Sequence, residues 1–252
     1  GQVYGTKSME EGQVYFNTQV WAVLSNAATP EQAKQCLETV KEKLATPYGL
    51  MLCAPSFVKA PRDTMSAVVF NAGIKENAGI FNHTQGWGVI AETLMGNGDR
   101  AYEYCKAALP ASYNDRAEIR QSEPYVVGQT TYSTYSPRAG NCRVSWLSGA
   151  ATWNYYSTTQ YILGIRPQYE GMLIDPCIPH DWDGFSVKRR WRGKILNIKV
   201  ENPEHINKGI SYIEVNGTKL DAAVIPFDML KDQNEIKAVM GKDAKEVPVE
   251  RL

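Results

Sequence analysis

Apolar side chains recur three and four positions apart through Ala33, Cys36, Leu37, Val40 and Leu44, which predicts one face of an amphipathic helix. Its start is legible in Thr29-Pro30-Glu31-Gln32, with a hydroxyl at the N-cap, a proline at the first helical position and a glutamine where a capping box needs one. Weaker helical patterns cover Phe16 to Ala28, Gly79 to Met95, Asp99 to Leu109 and Trp146 to Leu163, with Gly96-Asn97-Gly98 and Gly164 as stop signals. Past Gly164 the pattern changes to short β-type runs at Met172 to Ile174, Phe185 to Arg190, Ile195 to Val200 and Ile210 to Val215, with Asn216-Gly217 as a hairpin turn. The expectation is a mainly α protein with a β C-terminal part: Phe16 to Leu163 mainly helical, Met172 to about Val239 mainly β. The boundary falls within Gly164 to Pro179, giving domains 1–170 and 171–252.

The segments around Trp21 to Leu24 and Trp146 to Tyr161 are apolar or aromatic on more than one side. Such helices want more neighbours than this chain offers, and they fit the end of a larger helical barrel. Two connections, Leu52 to Asn77 and Pro110 to Ser145, are long and rich in Gly, Pro, Asn, Ser and Tyr. Long ordered loops in a compact domain are usually functional.

Composition narrows the partners. Lys and Arg total 27 and so do Asp and Glu, so the net charge is +0 and no global field draws the 252-residue chain to nucleic acid or an anionic membrane. The one basic run, Lys188 to Lys194, interleaves with Trp191, but a strand spreads its charges over both faces. No apolar run approaches the roughly 18 residues of a membrane span. Nucleic acid and membrane are therefore not expected as partners. The five cysteines are scattered without a C-x-x-C spacing and read as reduced core thiols, with no metal site. No secretory signal is visible at the start, and cytoplasm is the default expectation. The 14 tyrosines and 6 tryptophans beside only 6 phenylalanines suit sugar stacking, and they also suit the edges of ordinary helix packing.

Titratable side chains are densest in Gly73-Ile74-Lys75-Glu76-Asn77-Ala78-Gly79-Ile80-Phe81-Asn82-His83, a polar loop running into a helix. Taken singly, Lys75 and Glu76 read as a solvated pair and His83 as a hydrogen-bonded structural residue; together on a Gly-bounded loop they make a candidate site. Ser145-Trp146-Leu147-Ser148-Gly149-Ala150 opens the next long helical pattern, where amides, the helix dipole and a hydroxyl could receive an anion, although a plain N-cap needs only one Ser. If His83 lies across from that helix start, the two converge on a phosphate-sized anion. Neither a P-loop nor a G-x-G-x-x-G fingerprint is present, so a nucleotide is not expected. Glu123, Pro124, Tyr125 and Gln129 occupy the second long connection and could bond sugar hydroxyls.

The strings FNTQVWAVLS, LATPYGLML, GIKENAGIFNH, EPYVVGQ, SWLSGAATW, ILGIRP and IDPCIPHDWDGF follow in this order from about Gly12 to Gly217. In this they resemble the C-terminal portion of the inverting β-glycoside phosphorylases of glycoside hydrolase family 94, a group that includes cellobiose, cellodextrin, chitobiose and laminaribiose phosphorylases. The resemblance implies the last helices of an (α/α)6 barrel followed by a small β-sandwich-like domain. It implies reversible cleavage of a β-linked glucose disaccharide or oligosaccharide by inorganic phosphate, with inversion, giving a sugar 1-phosphate. No cofactor is implied; phosphate is the co-substrate.

Residue by residue, His83 matches the family's phosphate-binding histidine, and Ser148 and Gly149 fall where members carry a Thr-Gly pair that binds the same phosphate. Lys75, Glu76 and Gln129 match residues lining the sugar subsites. Ser66 and Phe70 stand on the acceptor loop where cellobiose-specific members place Glu and Tyr, which puts cellobiose itself in doubt. The general-acid Asp of the family lies in a Trp-Asn-Asp type motif upstream of the segment that aligns here, and this sequence contains no such motif. No catalytic residue is therefore assigned to this chain, which looks like a fragment or one piece of a split enzyme. The expected partners are the upstream half and, for the complete enzyme, a second copy in a homodimer. The rivals are an inverting glucoamylase-like hydrolase with Glu76 as general base, and a non-catalytic carbohydrate-binding fragment.

Overall fold

The computed structural model describes residues 4–63, 65–147 and 149–244. They form two compact units, one of residues up to Ala91 together with Glu103–Tyr156, the other of Glu92–Tyr102 together with the chain from Ser157 onward. Six α-helices and several small sheets occur among the described residues, a mixed fold.

In the first unit, α1 (Phe16–Leu24) packs on α2 (Pro30–Lys43) and buries Phe16, Val20, Val23 and Leu24. The capping box read from the sequence is present in both directions: the Gln32 amide donates to Thr29 Oγ1 at 3.3 Å, and the Thr29 amide donates to Gln32 Oε1 at 2.9 Å. Ala33, Leu37 and Val40 are the buried stripe. Thr29→Ala is expected to lower unfolding stability by about 1 kcal/mol, with Thr29→Ser close to wild type, measured by urea denaturation.

The stretch Phe16 to Leu163 is less helical than its periodicity predicts. Two antiparallel strand pairs, Val14–Tyr15 with Cys53–Ala54 and Ala45–Thr46 with Gly49–Leu50, stand around α1 and α2. A three-stranded antiparallel sheet is built from β1 (Ile80–Phe81), β2 (Thr130–Thr131) and β3 (Cys142–Arg143), all drawn from the long connections or their edges. Then α3 spans Asn82–Leu94, α4 Gly98–Ala108, α5 Ala117–Arg120 and α6 Ala150–Ser157. The helical pattern from Trp146 is delayed to Ala150 because Val144 and Trp146 hold φ of 57° and 70°, which turns the backbone away from a right-handed helix. It continues past Ser157 as a π-helical turn, Thr158–Ile162.

The second unit carries the β content that the sequence predicts. Strands β4 (Ile165–Pro167), β5 (Gly171–Ile174) and β10 (Val224–Pro226) form one antiparallel sheet with β5 central. Strands β6 (Gly184–Trp191), β7 (Lys194–Glu201), β8 (Ile210–Val215), β9 (Thr218–Leu220) and β11 (Gln233–Met240) form a five-stranded sheet in the order β6-β7-β11-β8-β9. Its buried face alternates as a pleated strand requires: Leu196, Ile198 and Val200 on β7, Ile236, Ala238 and Met240 on β11. Asn216 and Gly217, at φ 51° and 84°, make the expected two-residue turn, with Val215 paired to Thr218. The basic run lies on β6 and its turn, where exposure alternates residue by residue.

No disulfide joins the five cysteines; four are buried, and Cys36 is half-buried on the edge of α2 rather than the core thiol expected. Burial pushes the Cys53 thiol up to about 11 and the Cys177 thiol up to about 12, so both stay protonated at neutral pH.

Candidate active site

Backbone register brings three of the eight sequence-selected residues, His83, Gln129 and Gly149, to one end of a small sheet. Strand β1 runs antiparallel to β2, and β2 antiparallel to β3, so β1 and β3 point the same way. Two more rungs extend this ladder: the Asn82 amide donates to Gln129 O at 3.0 Å, and the Gln129 amide donates to Val144 O at 3.0 Å. Helix α3 therefore leaves the sheet directly beyond β1, and the connection into α6 leaves it beyond β3, at the same end. His83 sits in the first turn of α3, Gln129 on the middle rung, and Gly149 immediately before α6. Gly149 has no atom within 4 Å of where a Cβ would stand, so there is open space at this helix start. Ser148 lies outside the described residues.

The first turn of α3 is fixed by Asn82, which is buried and donates from Nδ2 to Gly128 O at 2.9 Å while accepting from Thr131 Oγ1 at 3.2 Å. One turn on, Gln85 binds both backbone groups of Leu50, at 2.7 and 3.0 Å. A further tie links the helices themselves: a Cβ on Gly86 would stand 2.9 Å from Trp153 O, and Trp87 meets Trp153 edge-on at 5.8 Å. The Trp153 amide in turn bonds Gly149 O at 3.2 Å. His83 is half-buried, and that burial holds its imidazole below the ordinary histidine value, so it is neutral at pH 7.

The Lys75-Glu76 loop is held by Asn77, a residue the motif reading left without a role. Buried Asn77 donates from Nδ2 to Phe57 O at 2.7 Å and to Phe70 O at 2.8 Å, and its Oδ1 accepts from the Phe57 amide at 2.7 Å. Phe70, at the end of the 3-10 turn Ser66–Val69, is thus tied to the loop that carries Lys75 and Glu76. Lys75 sits at φ 47° and its carbonyl accepts from the Gly79 amide at 2.9 Å, closing the turn that leads into β1. Ser66 and Glu76 are exposed and Lys75 and Phe70 half-buried. Glu123 stands on the surface, accepting from Ser145 Oγ at 3.2 Å; its neighbour Tyr125 is tilted against Trp146 at 6.0 Å.

Gln129 Oε1 and Trp87 Nε1 are buried in this unit without a hydrogen-bond partner. A buried polar atom left unpaired costs about 1–3 kcal/mol, which marks a place where a ligand atom or water belongs. No group of three or more His, Cys, Asp or Glu able to hold a metal occurs among the described residues, and no described helix is long and apolar enough to cross a membrane.

Two helix starts, the His83 imidazole and Gln129 thus lie at one sheet end, in the unit that also holds the loop bearing Lys75 and Glu76. In sequence comparison, the catalytic domain of the glycosyl hydrolase 94 superfamily matches residues 1–164, and the C-terminal domain of glycosyl hydrolase family 65 matches residues 165–207. The chain belongs to the glycosyl hydrolase 94 superfamily. It is 40% identical over 96% of its length to an N,N'-diacetylchitobiose phosphorylase of Vibrio proteolyticus, and 38% identical over the same share to that of Vibrio furnissii. A solabiose phosphorylase of Paenibacillus borealis is 32% identical over 90% of the chain. The chain spans about 30% of the length of each of these relatives.

Proposed function

We propose that this chain is the C-terminal part of an inverting glycoside phosphorylase, in which inorganic phosphate cleaves a β-linked glucose disaccharide or oligosaccharide to a sugar 1-phosphate. The observation that carries the reading is the placement of His83 and the Gly149–Ala150 helix start at one end of a three-stranded sheet. In such a phosphorolysis phosphate replaces the activated water of an inverting hydrolase, so the protein needs only a general acid. His83 would hold phosphate with the Ser148 hydroxyl and the Gly149 amide; Lys75 would offset charge at the sugar; Glu76 and Gln129 would orient hydroxyls; Ser66 and Phe70 would line the acceptor side. A neutral imidazole can still donate one N–H to an anion, and the anion's charge favours its protonation, so phosphate binding and proton uptake at His83 reinforce each other.

On this reading residues 1–170 supply the last helices of an (α/α)6 barrel and residues 171–252 a small β-sandwich-like domain. The acid resides in the upstream half, and the complete enzyme is a cytoplasmic homodimer that uses phosphate and no further cofactor. Family membership, and relatives named as phosphorylases of disaccharides, support it.

The test is a phosphate titration of the 252-residue chain and its His83→Ala variant followed by calorimetry. A hydrogen bond to a charged group contributes about 1.5–3 kcal/mol, so His83→Ala is expected to weaken phosphate binding roughly tenfold to a hundredfold. Unchanged affinity removes His83 from the site.

A further inference from the structure

His83 lies between two rings: Phe81 at 5.5 Å and 63° on one side, Trp87 at 5.5 Å and 83° on the other. Trp87 is one helical turn along α3, on the same face as His83. Its own ring is gripped by side chains of two other helices, Trp21 of α1 at 5.5 Å and 70°, and Trp153 of α6 at 5.8 Å and 89°. All three contacts have the edge-to-face form that aromatic quadrupoles favour. A ring so held has little freedom, and it passes that restraint to the imidazole. The buried Nε1 of Trp87 has no protein partner, so no hydrogen bond explains the orientation of the indole; ring packing does.

We infer that Trp87 is the positioning residue of the anion site, its indole clamped by Trp21 and Trp153 so that it holds the His83 imidazole in one plane against Phe81. This rests on the reading of His83 as a phosphate ligand and assigns what orients that ligand. The indole stands with Phe81 against the imidazole, and burial is the cause of the lowered His83 pKa, with no charged side chain contributing.

The chain has only three histidines, His83, His180 and His205, so their imidazole signals are separable and His83→Ala identifies the first. The experiment follows these signals from pH 5 to 8 in the 252-residue chain, with and without inorganic phosphate, in wild type, Trp87→Phe and Trp87→Leu. Trp87→Leu is expected to move the His83 midpoint up toward about 6.5, the ordinary value, and to weaken phosphate binding about tenfold. Trp87→Phe keeps a ring face and is expected to stay within about twofold, while His180 and His205 do not move in either variant. A His83 midpoint and phosphate affinity unchanged in Trp87→Leu overturns the inference. A second measurement needs no variant to fold: in wild type labelled with 5-fluorotryptophan, the Trp87 fluorine signal is expected to titrate with the His83 midpoint, and a signal flat across that range also overturns it. Should wild-type His83 ignore phosphate while Trp87→Leu still shifts its midpoint, the phosphate assignment fails and the positioning of the imidazole stands.

Discussion

Given phosphate and a β-linked glucose disaccharide, the 252-residue chain by itself is expected to release no measurable sugar 1-phosphate, and activity is expected to appear only when the upstream half is supplied. A glycosidic oxygen is a poor leaving group, and protonation by a positioned acid contributes about 10² to 10⁴ in rate. The family resemblance puts that acid in a Trp-Asn-Asp motif absent from this sequence. Among the site residues only Glu76 and Glu123 carry a carboxyl. Glu76 stands exposed on the loop held by Asn77, and Glu123 is a surface group bonded to Ser145. Disaccharides of glucose and of N-acetylglucosamine should be assayed side by side, with product analysis. Glucose 1-phosphate made by the chain alone and abolished by Glu76→Gln would move the acid to Glu76. Free sugar released without phosphate would replace the phosphorylase reading with a hydrolase in which Glu76 activates water.

Asp175→Ala is expected to destabilise the chain by about 3 kcal/mol, because it removes the buried carboxylate that two cations face and leaves them unpaired. Asp175 is buried, with Lys208 Nζ 2.9 Å and an Arg166 guanidinium nitrogen 3.9 Å from its Oδ2. Arg166 also stacks over the Tyr161 ring at 4.3 Å, and its Nε donates to Gln160 O at 3.3 Å, so it cannot swing to water without losing both. Asp175→Asn keeps the shape and one acceptor and should cost roughly half as much. The measurement is the urea midpoint at unchanged slope. A loss within about 0.5 kcal/mol, as for an ordinary surface substitution, would show that the cluster contributes no net stability.

What could be read in advance was local. The Thr29 cap, the Ala33-Leu37-Val40 stripe on α2 and the Asn216-Gly217 turn depend on residues close in the chain, and each is present, although Cys36 of the same stripe is half-buried and Leu44 falls just past the helix. Strands β6, β7 and β8 are long enough to show their alternation, whereas β11, as long as β6 and β7, is not among the runs read from the sequence. The sheet that organises the site is another matter, since β1, β2 and β3 are two residues each and no periodicity can be seen in two residues. The β1–β2 pairing joins segments about fifty positions apart, as the Thr130 hydroxyl bond to Ile80 O illustrates. Lys75, Glu76 and His83 are legible because unusual residue types cluster there. Asn77 is not, because its work is to bond Phe57 and Phe70, which nothing in its own neighbourhood announces. Trp87 had a visible signal, its four-residue spacing from His83, but a tryptophan at that spacing is equally ordinary core packing.

In the five-stranded sheet the strand made last, β11, occupies the centre, parallel to β7 on one side and antiparallel to β8 on the other. As the chain leaves the ribosome, the β6–β7 and β8–β9 hairpins can each form early, but each then carries an open hydrogen-bonding edge until residue 240 is clear of the exit tunnel. Nascent chains halted before Gln233 would therefore expose two such edges at once, and overproduction should yield aggregates from stalled or truncated chains rather than from the finished protein.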